Sequence, residues 1–204
     1  MAQPVRARPT VPSGRRYDSL VARMSPGDRF PSLRVETVDG PSRLDERWRD
    51  GALVVSFMRH FGCTFCREHL EHLRGRYEEI TAAGGDVVAV FQYGADATEN
   101  FCAGRRLPFS CVGDPLREAY AALDIRRGRG RELYGWGVIR RAIPAVRTAG
   151  GTRRPEGGDI AQLPGTFVVG RDGRVVLAHY SSNAADNPPM DTVLSAVRQA
   201  NAES

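Results

Sequence analysis

The sequence predicts an α/β fold in which helices flank a central mixed sheet. Three observations carry this. Residues 52–58 (ALVVSFM) and 87–91 (VVAVF) are nearly continuous apolar runs, the pattern of strands buried on both faces. Between them Leu70, Leu73, Tyr77 and Ile80 recur three or four apart, the spacing of one helix face. Towards the end, residues 166–169 and 175–180 read as strands around Asp172-Gly173, a hairpin signal. Strand, helix and strand in alternation give a parallel part of the sheet, and the hairpin adds an antiparallel part.

The remaining elements follow in order. Residues 1–24 begin with a Pro- and Arg-rich stretch and are expected to form a flexible tail ahead of one domain over 25–204. Residues 30–37 alternate partly and precede Asp39-Gly40, which suits a small edge strand or hairpin. Gly84-Gly85 should end the helix that follows the first buried strand. Residues 97–105 are expected to be helical, 109–112 a short strand and 116–123 a short helix. Residues 124–162 break the rhythm. They are rich in Gly and Arg and too long for an ordinary connection, so they read as a basic insertion before the C-terminal hairpin. Met190, Val193, Leu194 and Val197 then share one face of a closing amphipathic helix.

Composition narrows the function. With 204 residues and a hydrophobic fraction of 41%, the chain can bury one substantial core. The formal charge of +5 comes from arginines scattered in blocks, which reads as a solvated surface and not as a nucleic-acid footprint. No apolar run reaches the ~20 residues of a membrane span. The first residues lack an apolar signal core, so a reducing cytoplasm is the expected compartment. Four cysteines there are expected to be reactive or buried, not paired structurally. Rossmann, P-loop and flavin fingerprints are missing, and neither cofactor nor metal is expected.

The chemistry centres on Cys63-Thr64-Phe65-Cys66, placed where a buried strand gives way to a helix. A helix start offers free N–H groups and about half a positive charge, and both favour a thiolate over a thiol. A second cysteine one turn on can close a disulfide, so CxxC beside a βαβ pattern reads as a thioredoxin-like redox motif. Zinc is the rival, because Cys63, Cys66, His69 and His72 recur every three residues. Helical geometry argues against it: nine residues rise about 13.5 Å and turn the first and last side chains to opposite faces. His69 and His72 are therefore expected on the exposed side of the helix.

Several segments resemble the alkyl hydroperoxide reductase / thiol-specific antioxidant proteins, and within them the peroxiredoxin-like branch that carries a CxxC. Ser25-Pro26-Gly27-Asp28 with Phe30, Leu33, Asp39-Gly40 and Leu44 resembles their opening. Residues 57–68 (FMRHFGCTFCRE) are similar to the active-site segment, and Gly113-Asp114-Pro115 to the turn that follows later. Gly165-Thr166-Phe167-Val168-Val169 and Ala184-Ala185-Asp186-Asn187-Pro188-Pro189 complete the likeness, which spans about residues 25–199. The resemblance implies a thioredoxin-like fold and a thiol oxidoreductase that reduces a peroxide or disulfide. It implies regeneration by a thioredoxin-like or low-molecular-weight thiol reductant, and it admits a homodimer. Pro164 resembles the cis-proline that faces the CxxC in thioredoxins, and Pro164, Thr166 and Arg59 are the expected supporting residues. The sequence departs from the P-x-x-x-T-x-x-C signature of true peroxiredoxins. With Cys66 in the peroxidatic place, Arg59 and Cys63 stand at the proline and threonine positions, and the hydroxyl that would orient a peroxide is gone.

Which cysteine attacks stays open at this level. The helix dipole and access favour Cys63 for disulfide exchange, while the family alignment puts the reactive position at Cys66. Arg59 and His60 could each stabilise a thiolate by charge, and Glu68 could accept a proton from Cys66. Cys111 is expected in a strand core and Cys102 on a helix, with resolution of a sulfenic acid as their alternative role. In the insertion, Leu133, Tyr134, Trp136, Val138 and Ile139 are expected to pack on the domain as a lid or interface, with the arginines outside. Two rival functions are a disulfide reductase or redox enzyme acting on a specialised biosynthetic substrate, and a non-catalytic metal- or partner-binding protein of the same fold.

Overall fold

A computed structural model describes residues 23–135, 138, 140–141, 146 and 158–202. Its strands are β1 (Arg34–Thr37), β2 (Gly40–Arg43), β3 (Ala52–Phe57), β4 (Gly85–Phe91), β5 (Ser110–Gly113), β6 (Gly165–Val169) and β7 (Val175–Tyr180). The helices are α1 (Thr64–Gly75), α2 (Tyr77–Ala82), α3 (Ala95–Ala103), α4 (Glu118–Ala122), α5 (Gly130–Tyr134) and α6 (Met190–Ala202). The seven strands form one sheet in the order β2-β1-β5-β4-β3-β6-β7. β3, β4 and β5 are parallel, and β6, β7 and the β1–β2 hairpin pair antiparallel to their neighbours. This is the mixed, helix-flanked sheet of a thioredoxin-like fold.

The apolar run over β3 is explained by a core on each face. Val54 points with Leu70, Leu73, Ile80, Val193 and Val197 into one core beneath α1, α2 and α6. Leu53, Val55 and Phe57 point into the other, with Phe30, Leu44, Tyr120 and Leu123. A strand covered on both sides cannot alternate apolar with polar, hence the continuous run. The single helix expected across 70–80 is two: α1 stops at Gly75, and α2 begins after Arg76 leaves helical geometry. Glycine at the junction has the least to lose by ending the helix there. The β6–β7 hairpin turns through Gly170–Arg174, with Gly173 at φ +78°, so its loop is longer than a two-residue turn.

Two readings of the ends of the domain meet the structure here. Residues 1–22 of the expected tail lie outside the described residues. Met24, at the tail's other end, donates its N–H to the Tyr180 hydroxyl at 2.8 Å, and the Arg23 guanidinium lies 4.9 Å over the same ring. In the insertion, Leu133 and Val138 are buried and Tyr134 is exposed, while Trp136 and Ile139 fall outside the described residues. Among the described residues no helix is long and apolar enough to cross a membrane.

Candidate active site

β3 delivers the chain to the site at its carboxyl end, the edge where open α/β sheets place their chemistry. Just past β3 the Met58 N–H still pairs with the Val90 carbonyl at 2.9 Å. Residues 59–62 form a short loop that ends in a tight turn, with the Cys63 N–H donating to the His60 carbonyl at 2.9 Å. Cys63 is the residue that caps α1, and its carbonyl accepts the Arg67 N–H at 3.1 Å. Cys66 lies in the first turn. Both thiols are unpaired and almost sealed, at 3% and 2% exposure.

Arg59 connects the two sulfurs. Its Nη1 donates to Cys63 Sγ at 3.3 Å, and its main-chain N–H donates to Cys66 Sγ at 3.3 Å. Nε and Nη2 go to the carbonyls of Gln162 (2.8 Å) and Ile160 (2.6 Å). The side chain is buried, and these other partners are neutral. A buried cation beside a thiol favours its ionised form, so the guanidinium favours a thiolate at Cys63.

The acidities agree. Cys63 is lowered to about 6, chiefly because the Cys66 thiol hydrogen-bonds its sulfur; burial opposes this, and the Arg59 charge adds to it. Cys66 is pushed well up, first by burial and then by its hydrogen bond to Cys63 and the negative charge there. Both shifts favour the charge on Cys63 and the proton on Cys66.

The other expected residues divide. His60 is buried and its pKa falls to about 4 through burial and then the neighbouring Arg59 charge, so it is neutral and gives the thiolate no charge. Pro164 lies just before β6, at the level of Met58 by continuation of the β3–β6 register, but its peptide bond is trans: no cis bond occurs among the described residues. Thr166 is brought to Ser56 (3.1 Å) and to His69 Nε2 (3.5 Å), beneath α1. His69 itself is 2% exposed, not on the exposed side of its helix, because α1 turns that face onto β3 and β6, where Ser56 Oγ meets Nε2 at 3.1 Å. Burial, followed by the nearby His72 and His179, lowers it to about 3 and keeps it neutral. His72 is exposed, as expected. Glu68 and His72 line an open groove of about 620 Å³ beside Asn187, Pro188 and Met190, whose lining starts at Glu68, just past Cys66.

Cys102 and Cys111 are a correction. They form a disulfide with 6.6 Å between their Cα atoms, tying the end of α3 to β5. Spacing alone did not reveal it. The pairing arises because α3 folds back over β5 and turns Cys102 onto the face where Cys111 points.

Several residues of the site carry no sequence motif. Gln92 and Tyr93 follow β4 at the same sheet edge, and that position was their one available signal. Gln92 Nε2 donates to the Arg59 carbonyl and to the Asp159 carbonyl (3.0 Å). Tyr93 stacks on Phe61 at 3.8 Å, and Phe101 stacks on Phe61 at 4.4 Å. The Tyr120 hydroxyl braces the ends of β3 and β4 through the Met58 (2.6 Å) and Val90 (2.9 Å) carbonyls.

Comparison with known proteins agrees with the fold. The family model described as AhpC/TSA antioxidant enzyme matches residues 72–183, a stretch that starts after the cysteine pair. Prostamide/prostaglandin F synthase of Danio rerio is 27% identical over 170 residues, covering 81% of this chain and 83% of that protein. Peroxiredoxin-like 2C of Bos taurus is 27% identical over 165 residues, 77% of this chain and 72% of that one. Among solved structures, peroxidoxin BcpB of Mycobacterium tuberculosis superposes with a TM-score of 0.62 at 21% identity, over 87% of this chain and 98% of its own.

Proposed function

Since the chain belongs to the AhpC/TSA antioxidant enzyme family and is a thiol-dependent oxidoreductase, we propose that its catalytic pair is Cys63 and Cys66, with Cys63 the resting nucleophile. The observation that carries this is the buried Arg59 guanidinium, whose Nη1 donates to Cys63 Sγ at 3.3 Å. Towards a disulfide, the Cys63 thiolate attacks one sulfur and expels the other as a thiolate. That leaving group takes the Cys66 proton, and the Cys66 thiolate then attacks Cys63, closing Cys63–Cys66 and releasing the second sulfur as a thiolate, which solvent protonates. Towards a hydroperoxide, the same thiolate takes the distal oxygen and releases an alcohol once a proton is supplied. The resulting sulfenic acid condenses with Cys66 to give water and the same disulfide. A thioredoxin-like or low-molecular-weight dithiol donor is oxidised as it returns both cysteines to the thiol state.

A redox reaction on a specialised biosynthetic substrate is the second reading, favoured by the likeness to a protein named prostamide/prostaglandin F synthase. A reducing compartment such as the cytoplasm supplies the donor this cycle consumes. It would also tend to open Cys102–Cys111, so the state of that bond in cells reports the compartment.

The test is trapping. Cys66→Ser should accumulate a mixed disulfide through Cys63 when offered a disulfide substrate, and Cys63→Ser should trap none. A sulfenic acid formed on Cys66 of Cys63→Ser at the wild-type rate with peroxide would move the nucleophile to Cys66.

A further inference from the structure

The residues that hold Arg59 in place come from the far end of the insertion. Gln162 and Ile160 offer the carbonyls that take its Nε and Nη2, leaving Nη1 for Cys63 Sγ. Asp159 anchors this strap. Its carboxylate takes Arg117 Nη1 and, at 2.7 Å, Arg127 Nε, and it accepts the Ala161 N–H at 2.9 Å within the strap. Its main chain is clasped by one buried side chain: the Asp159 N–H donates to Gln92 Oε1 at 2.6 Å, and its carbonyl accepts Gln92 Nε2, which also bonds the Arg59 carbonyl. Gly158 precedes it at φ +78°, seated so closely on Tyr93 that a Cβ would lie 2.5 Å from the phenolic oxygen. Tyr93 in turn stacks on Phe61, in the loop that leads to Cys63.

We propose that Asp159 is a positioning residue for the redox pair: it pins the strap of residues 158–162, and the strap's carbonyls aim the Arg59 guanidinium at Cys63. This rests on the reading of Cys63 as the resting thiolate. An Arg side chain has several rotamers, and a guanidinium that swings away from a thiolate leaves that anion buried and uncompensated. Two outward hydrogen bonds to a fixed backbone leave one orientation, with Nη1 on the sulfur. The groups that set the acidity of Cys63 are Arg59 and Cys66, with neutral His60 in the same loop and the Tyr93 hydroxyl beyond Cys66.

Electrostatics and positioning predict opposite signs, which makes the idea testable. Removing the Asp159 charge, taken by itself, would favour a nearby thiolate and make Cys63 more acidic. Loosening the strap would make it less acidic. The experiment is the pH dependence of iodoacetamide alkylation at Cys63, followed by peptide mass spectrometry on wild type, Asp159→Asn and Gly158→Ala, with thermal melts in parallel. Gly158→Ala changes no charge and disturbs the strap only through its positive φ and its contact with Tyr93.

The expected result is an upward shift of the Cys63 midpoint in both variants. A shift of about one unit makes alkylation at about pH 5 roughly three- to fourfold slower, after the gain in nucleophilicity of the more basic thiolate, in proteins that remain folded. A midpoint in Asp159→Asn that stays or falls, against a wild type that titrates near 6, would overturn the positioning role and leave Cys63 as the nucleophile. A wild-type Cys63 that fails to ionise below neutral pH would overturn the underlying reading, and this proposal with it.

Discussion

Replacing Arg59 with methionine removes the cation on Cys63 and keeps the unbranched, apolar stem of the side chain. A nearby opposite charge lowers an acid's pKa by ~1–3 units. Taking about two of these units moves Cys63 from about 6 to about 8. At about pH 5 the thiolate fraction then drops from roughly a tenth to roughly a thousandth. The more basic thiolate is a better nucleophile, and a Brønsted slope of ~0.4–0.5 over two units returns a factor of about 8. The net expectation is alkylation of Cys63 about 12-fold slower at about pH 5, nearly unchanged near pH 7 and about sevenfold faster at about pH 9. A rate measured only at neutral pH would therefore miss the effect, and the full profile is the assay, read by mass spectrometry of the Cys63 peptide. Arg59→Lys is the companion variant, since it keeps the charge but cannot engage two carbonyls and a sulfur in one plane. Its midpoint should fall between the other two. Superimposable profiles for wild type and Arg59→Met would refute the assignment of Arg59 as the thiolate's counter-ion.

Mild oxidation followed by non-reducing peptide mapping should yield Cys63–Cys66 and Cys102–Cys111 as separate bonds; Cys66 joined to Cys102 or Cys111 would overturn the pairing. In a Cys63→Ser/Cys66→Ser background, reducing Cys102–Cys111 should lower stability in urea by about 2–3 kcal/mol, the loop-entropy expectation for a bridge spanning nine residues. Tyr120→Phe leaves the buried Met58 and Val90 carbonyls without their shared donor and should cost about 1–3 kcal/mol, seen as a lower urea midpoint at unchanged slope. Wild-type alkylation at Cys63 should rise through a midpoint of about 6 and be nearly flat above neutral pH, because the thiolate is the reactive form and is already present there.

The parts of the fold that depend on local pattern were legible in the chain: the doubly covered strands, the amphipathic closing helix and the β6–β7 hairpin. The break at Gly75–Arg76 was hidden by apolar spacing that continues in phase across it. In the site, Cys63 and Cys66 announce themselves because their spacing is itself the chemistry. Arg59 is visible as a neighbour in sequence, but its role depends on burial and on carbonyls about 100 residues away. Gln92, Asp159 and the Cys102–Cys111 bond have no signature of their own and exist as functional features only after the sheet is assembled. His69 was misread for a related reason. A histidine among polar residues on a helix looks solvated, until Ser56 and Thr166 arrive from two strands to meet its Nε2.

On the proposal that Cys63 is the resting nucleophile, Arg59 reconciles the two family readings of which cysteine attacks. A thioredoxin-type reading selects Cys63 and a peroxiredoxin-type alignment selects Cys66, and one residue gives its side chain to the first and its main-chain N–H to the second. The two sulfurs share a single proton between them, so they titrate as a unit and not as two independent thiols. With Arg59 aimed at Cys63, the charge rests there and Cys66 holds the proton that a leaving group needs. Turning the guanidinium away would weaken the preference for charge on Cys63, while the Arg59 N–H and the first turn of α1 would stay with Cys66. On this proposal the orientation of one side chain, held by the carbonyls of Ile160 and Gln162, biases which of the two sulfurs carries the charge.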